Sequence, residues 1–293
     1  MRGHSGWWEI IVEQADYDRM SDRGNENHDI FDLAGKVALI TGAAGSLGSA
    51  VAEVYAAHGA HLFLVDVNHA RLAALSERLT VEGQRVYLRE GDIGNLSDTE
   101  AIFRELDEKF GRIDILVNVA GPAKIGSPRD MPIRDVEYTV HNLVTARFAY
   151  CQEAGRRMLA NGVGSIINIC SVAGFTANGR GHLAYSMAMA AVAQMTRELS
   201  TEWSGFGVRT NAIVCGQIIN ASLEERMEAD SRLERNFLRG IPTGRLGFND
   251  DIKGVALLLA SDASSFVTGA MVPVDGGNLA KNAGGSHPGM PEL

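Results

Sequence analysis

Cysteine is scarce in this chain. Its 293 residues include only Cys151, Cys170 and Cys215, an odd number, widely spaced and without a CxxC pair. That pattern argues against structural zinc, other metal sites and a disulfide framework. It points to a reducing compartment, with the cytoplasm as the expected address. Long apolar runs are missing too. Residues 37–40 and 62–65 are strongly apolar, yet far short of the roughly 20 residues that span a bilayer. The opening Met1-Arg2-Gly3-His4 leads into no apolar stretch and acids follow early, so no secretory signal is expected. There is no excess of positive charge: the formal net charge is −9, which argues against nucleic acid or an anionic membrane as the main partner. A phosphorylated cofactor stays open, because backbone amides bind phosphate without net positive charge.

What is present is ordinary globular chemistry, 45% hydrophobic and 22% charged, in a chain long enough for a sizeable core. Residues 1–32 are polar and acid-rich, interrupted by Trp7-Trp8 and Ile10-Ile11-Val12. They read as an N-terminal extension, either a short helix docked by its tryptophans or a disordered leader. From Leu33 the pattern alternates. Apolar strand-like runs stand at 37–40, 62–65, 86–89, 115–117, 165–169, 209–214 and 271–274. Helical patterns lie between them, at about 48–58, 70–82, 98–110, 136–160, 185–202 and 250–259. Continuous apolar strands alternating with amphipathic helices imply an α/β fold, one doubly wound parallel sheet of seven strands with helices on both faces. No internal repeat appears, and residues 279–293 read as a loose tail.

The first strand runs into Thr41-Gly42-Ala43-Ala44-Gly45-Ser46-Leu47-Gly48, which opens a helix. Glycine lets the backbone turn sharply and approach a pyrophosphate, while the helix N-terminus offers unpaired amides. Strand, turn and helix in that order point to a dinucleotide. The second strand ends at Asp66, 18 residues beyond Gly48. A carboxylate there accepts hydrogen bonds from an adenosine ribose and repels a 2′-phosphate. No Arg or Lys lies inside the glycine loop, so NAD is expected over NADP. Ser171 follows an apolar strand, which places its hydroxyl at the carboxyl end of the sheet, where open α/β sheets bind ligands. Tyr185 begins a helix fourteen residues later.

The glycine turn, Asp66, Asp92-Ile93, Asn118-Val119-Ala120-Gly121, Asn142, Ser171 and Tyr185 resemble, in order and spacing, the short-chain dehydrogenase/reductase family. The resemblance covers roughly residues 33–278 and implies a Rossmann-type domain. It also implies that Gly42, Ser46, Leu47 and Gly48 hold the cofactor phosphates and that Asp92 and Ile93 lie by the adenine. Asn118, Ala120 and Gly121 would line the cofactor and brace the sheet. Gly216, Ile218 and Asn220 would meet the nicotinamide carboxamide, although Cys215 and Asn220 stand where relatives usually carry Pro and Thr. Ser171 would orient the substrate oxygen, Tyr185 would exchange a proton with it, and Asn142 would hold a water in the relay.

One position departs from that pattern. Met189, four residues after Tyr185, stands where the family carries a lysine that bonds the nicotinamide ribose and lowers the tyrosine pKa. A thioether supplies no charge. Three explanations stay open: an engineered inactive variant, a substitute cation (Lys124, Arg180 and His182 being the candidates), or a site that has left redox chemistry. The expected activity is NAD-dependent interconversion of a secondary alcohol and a ketone. A non-redox isomerase or dehydratase, or a cofactor-binding pseudoenzyme, is the alternative. Residues 221–247 mix charge with apolar residues at helical spacing and read as a lid suited to an amphiphilic alcohol. Cys215 reads as a packing residue. The long helices at 136–160 and 185–202, with Trp203 after the second, resemble the family's subunit contacts and imply a homotetramer, with a dimer next.

Overall fold

Seven apolar runs form β1 (Val37–Thr41), β2 (His61–Asp66), β3 (Val86–Glu90), β4 (Ile115–Asn118), β5 (Gly164–Ser171), β6 (Val208–Cys215) and β7 (Met271–Val274). They come from a computed structural model that describes residues 29–79, 83–230 and 232–281. Most of the N-terminal extension and of the C-terminal tail, with the last residues of the helix expected at 70–82, lies outside the described residues. All seven strands pair in parallel, in the order β3-β2-β1-β4-β5-β6-β7. Every residue of β1 and β4 is buried, which is why these strands read as unbroken apolar runs rather than alternating ones. The edge strand β7 carries Pro273, a residue without an N–H that an edge tolerates and a central strand does not.

The crossovers are the helices α1 (Ser46–Ala57), α2 (His69–Arg78), α3 (Leu96–Phe110), α4 (Ile133–Val140), α5 (Ala146–Asn161), α6 (Leu183–Trp203), α7 (Ala221–Ala229), α8 (Arg232–Leu238) and α9 (Lys253–Ala260). Two apolar layers result. On one face Val51, Tyr55, Leu72 and Leu259 pack on Ile40, Leu64 and Ile167. On the other, Phe103, Tyr150, Ala154 and Leu199 pack on Leu39, Phe63 and Leu116. Strand order reverses between β1 and β4, so the crevice at their carboxyl ends is where a ligand belongs. Among the described residues no helix is long and apolar enough to cross a membrane.

One expected element is corrected. The helix read as continuous over 136–160 is broken by a π turn, His141–Thr145, in which the Ala146 N–H bonds the His141 carbonyl five residues back. A single such bulge adds a residue to the turn and is frequently found at functional sites. Trp203, at the end of α6, is half-buried against α5. A Cβ at Gly155 of α5 would stand 2.6 Å from its ring.

A buried polar chain ties the sheet to α6. Asn118 Nδ2 donates to Asn168 Oδ1 and Asn168 Nδ2 to Thr196 Oγ1, each at 3.0 Å. Thr196 Oγ1 passes the chain on to the Val192 carbonyl at 2.8 Å. All three side chains are fully or almost fully buried, so each bond lost leaves a group without water. Asn168→Ala is therefore expected to lower stability by about 2–3 kcal/mol, read as a lower urea midpoint at unchanged slope. An unchanged midpoint would show that the network contributes nothing.

Candidate active site

The first half of the site is built from backbone. Gly42 turns the chain out of β1 at φ +65°, and a Cβ there would stand 2.9 Å from the Ala120 nitrogen. Gly48 sits so close to the Gly42 carbonyl that no side chain fits. Gly45 precedes α1 with no side-chain cap, so the first amides of that helix face outward unclaimed. Asp66 fastens this turn to β2. Its Oδ2 accepts the Ala44 N–H and its Oδ1 the Asn68 N–H, both at 3.0 Å. Thr41 Oγ1, buried at the end of β1, accepts the N–H groups of Val119 and Ala120 at 3.1 and 3.3 Å. Asp92, beyond β3, accepts the Gly94 N–H at 2.8 Å, and Ile93 beside it is buried.

A cleft of about 710 Å³ opens at the carboxyl ends of the strands, starting at Ser46 and Leu47 and running under Gly121 to Ser171, Tyr185 and Met189. Gly216, Ile218 and Asn220 form a further wall. The volume is in the range of small-molecule and cofactor sites. The remaining sequence-derived residues, Gly42, Gly48, Asp66, Asp92, Ile93, Asn118, Ala120 and Asn142, do not line it. Asp66 and Asp92 stand farther along the same sheet edge, after β2 and β3. Asn118 is spent on Asn168 and on the Cys151 sulfur. Asn142 lies in the π turn, donating to the Tyr138 carbonyl at 2.8 Å, and its Oδ1 faces Gly94. Its side chain is thus not brought to the Ser171–Tyr185 pair.

Ser171 ends β5, its Oγ accepting the Ala173 N–H at 3.2 Å. Tyr185, in the first turn of α6, lines the same cleft within reach of the Ser171 side chain. Burial raises the Tyr185 pKa; the Ser171 hydroxyl and the Arg147 charge pull it down, while Cys170 and Cys215 push it up. Met189 lies one turn on, 2% exposed, packed with Leu143, Cys170 and Val192. Its helix comes so near the turn after β5 that a Cβ on Gly174 would stand 2.8 Å from the Met189 carbonyl carbon. The cysteines are buried free thiols. Burial pushes Cys151 and Cys215 up to about 12, which makes Cys215 inert packing.

The charges fall differently from the sequence expectation. Lys124 is exposed and its Nζ sits 5.4 Å over the Tyr138 ring, outside the cleft. Arg180 lines the cleft with its guanidinium 4.7 Å over the Phe237 ring. His182 lines it too, edge-on to Tyr185 at 6.2 Å, and burial lowers its pKa, so it is neutral at pH 7. The cation that sequence reading missed is Arg147, at the start of α5, 3% exposed and in the cleft wall. A signal existed. Leu143, Ala146, Tyr150, Cys151 and Ala154 form a buried stripe at helical spacing, and Arg147 interrupts it.

Asn220 Oδ1 accepts the Leu223 N–H at 3.0 Å and so starts α7. Gly216 backs onto Asp275, where a Cβ would stand 2.7 Å from the Asp275 Cα, and Ile218 bridges to Gly247. Leu223, Phe237, Ile241 and Leu246 then close into a small apolar cluster over this wall.

Known proteins share this frame. A family profile described as enoyl-(acyl carrier protein) reductase matches residues 42–278. A D-threitol dehydrogenase of Mycolicibacterium smegmatis is 36% identical over 253 residues, 86% of this chain and 95% of that protein. Among solved structures, a short-chain type dehydrogenase/reductase from Mycobacterium marinum superposes with a TM-score of 0.80 at 30% identity, covering 86% of this chain and 99% of that one. A proposed NAD(P)-dependent gluconate 5-dehydrogenase from Beutenbergia cavernae, with NADP bound at low occupancy, gives 0.81 at 32% identity, covering 86% and 100%. Sequence and fold agree over nearly the full length of each relative, and on that agreement the chain belongs to the short-chain dehydrogenase/reductase family.

Proposed function

We propose that this chain interconverts a secondary alcohol and a ketone with NAD(H). The observation that carries the reading is the Ser171–Tyr185 hydroxyl pair, set in a cleft that begins at the uncapped N-terminus of α1. The residues present fit a dinucleotide. Gly42 and Gly48 leave no room for side chains between loop and helix, and the amides of Ser46, Leu47 and Gly48 are free to hold a pyrophosphate. Asp66 would take the adenosine ribose, with Asp92 and Ile93 by the adenine. Asn118, Ala120 and Gly121 would support the middle, and Gly216, Ile218 and Asn220 the carboxamide. When bound, the nicotinamide supplies or accepts the hydride.

The chain's own residues handle the oxygen. Ser171 hydrogen-bonds the substrate oxygen and fixes its direction. Tyr185 donates a proton to that oxygen on reduction and takes it back on oxidation. Asn142 can contribute to a water relay only through backbone, since its side chain is committed to Tyr138. The outer wall carries Asn178, Arg180, His182 and Arg226 beside Phe237, which suits a small polyhydroxylated or anionic substrate better than a purely apolar one.

Residues 33–278 form the catalytic domain in this reading, and 221–247 are its lid. Exposed Tyr138, Phe148, Leu183 and Met187 on α4, α5 and α6 support self-association, and a homotetramer is the expected state. The free buried thiols suit a reducing compartment such as the cytoplasm. Met189 takes the place of the family's lysine. A second reading rests on that residue. With no lysine and a pKa raised by burial, Tyr185 could stay protonated and merely polarise a carbonyl, as an isomerase or dehydratase requires.

Consumption of NADH with polyol-derived and sugar-acid ketones separates the two. Turnover that falls on the order of 10²–10⁴-fold in Ser171→Ala and Tyr185→Phe, at unchanged dinucleotide affinity, is the expected result. Tight NADH binding with no oxidation across the panel would favour the non-redox reading.

Cofactor choice is tested at Asp66. Its carboxylate repels a 2′-phosphate, and Asp66→Asn removes the charge while keeping one oxygen for the backbone. The NADP-to-NAD ratio of kcat/KM is expected to rise at least about tenfold, a change of about 1.4 kcal/mol in relative transition-state binding. An unchanged ratio would mean that another group reads the ribose.

A further inference from the structure

Met189 leaves Tyr185 with no cation one turn along its own helix, and Arg197, twelve residues on, is not among the charges that act on it; yet a cation reaches the same floor from α5. Arg147 Nε, Nη1 and Nη2 donate to the carbonyls of Ala120, Ile169 and Val119 at 3.1, 2.5 and 3.1 Å. These carbonyls lie at the carboxyl ends of β4 and β5, under the cleft. The Arg147 side chain is almost fully buried, and among the described residues no carboxylate pairs with it; the titratable groups that act on it are Tyr185, Cys170 and Cys151. Neutral carbonyls satisfy its donors but leave its charge uncompensated, and burying such a charge is costly. Arginine does not escape by losing its proton. A buried cation without a counter-ion favours any neighbour that can become negative. Tyr185 is the neighbour that the chemistry makes negative.

We propose that Arg147 is the positioning cation of this site, stabilising the Tyr185 phenolate from α5 in place of the charge that Met189 cannot supply. The inference rests on the oxidoreductase reading above. In reduction the Tyr185 O–H bond breaks, the proton goes to the substrate oxygen as the substrate carbon receives hydride from the reduced nicotinamide, and the electron pair stays on the phenolate beside Arg147. Oxidation reverses each transfer. Arg180 and Arg226 line the same cleft, but Arg180 is stacked on Phe237 and neither is among the charges that act on Tyr185; the groups nearest the phenol carry no positive charge. Ser171 and Cys170 on β5 are neutral, Cys215 on β6 is held as a thiol by burial, and His182 at the head of α6 is kept neutral by burial.

The sign of the effect is fixed. Removing the cation destabilises the phenolate and raises the Tyr185 pKa. The rising limb of alcohol oxidation and the falling limb of ketone reduction then both move to higher pH. Arg147→Gln keeps hydrogen-bond donors for the carbonyls but not the charge. Ultraviolet titration of tyrosinate, read as the difference between each chain and its Tyr185→Phe counterpart, isolates this one phenol and needs no substrate.

In Arg147→Gln the Tyr185 ionisation is expected to rise by about one pH unit or more, with turnover down on the order of 10²-fold. Adding Met189→Lys to that variant is expected to restore turnover to within about threefold of the starting chain and return the pH limbs. A folded Arg147→Gln protein whose Tyr185 titration and pH profile do not move overturns the proposal. Met189→Lys alone serves if Arg147→Gln does not fold. A gain below about threefold supports a site that already has its cation, whereas a gain on the order of 10² overturns it. Should the starting chain turn over no alcohol or ketone, the oxidoreductase reading falls while the tyrosinate titration still judges Arg147.

Discussion

A parallel sheet cannot finish its own hydrogen bonding. Where the strands stop, a row of N–H and C=O groups faces the crevice, and in a buried location each needs a partner. The side chains that supply those partners shape the site. Thr41 accepts from Val119 and Ala120, Asp66 from Ala44 and Asn68, and Ser171 from Ala173. Arg147 donates to Val119, Ala120 and Ile169. Residues that read as functional are thus first of all the residues that close the sheet. Their chemistry is available because they are held in place by backbone.

Legibility in the sequence followed from how local each signal was. The strands were readable because both sheet faces are covered, so β1 and β4 are apolar until their last residues, Thr41 and Asn118. The glycine turn was readable because Gly48 answers to Gly42 six residues before it and Gly42 to the sharp turn at its own positive φ, although Ala120, just after β4, crowds it as well. Asn142 was found by its place in a motif, but its side-chain direction depends on the π turn, and nothing in His141-Asn142-Leu143-Val144-Thr145 announces a fifth-residue hydrogen bond. Lys124 was weighed as a cation for the cleft although its place over Tyr138 is decided by tertiary structure. Arg147 was passed over for the opposite reason. An arginine in a helix is ordinarily solvent-facing, and only the phase of its apolar neighbours shows that this one points inward.

Tyr185 concentrates the competing effects. Burial that shields a reacting proton from water also holds the phenol in its neutral form. A site of this kind needs charge close by, and the charge must itself be buried without a carboxylate that would cancel it. Neutral carbonyl acceptors meet that requirement, because they satisfy nitrogen donors while leaving the field of the guanidinium uncancelled. The same competition makes the three cysteines quiet: burial raises each thiol, and for Cys151 and Cys170 the hydrogen bonds and the Arg147 charge offset too little of the lost hydration.

The π turn between α4 and α5 has a geometric meaning that reaches beyond its own five residues. An α-helix advances about 100° per residue, so a turn that takes up one residue more leaves every later residue about that angle behind its place in an unbroken helix. The two halves of what looks like one helix therefore belong to different angular frames. α4 packs against α6, and α5 against β4 and β5. The same sequence run as unbroken α-helix through 141–145 would turn Arg147 by about 100°, away from the carbonyls of β4 and β5. The inward orientation of a single buried charge is thus a property of helix phase, set by the hydrogen-bond pattern of one turn.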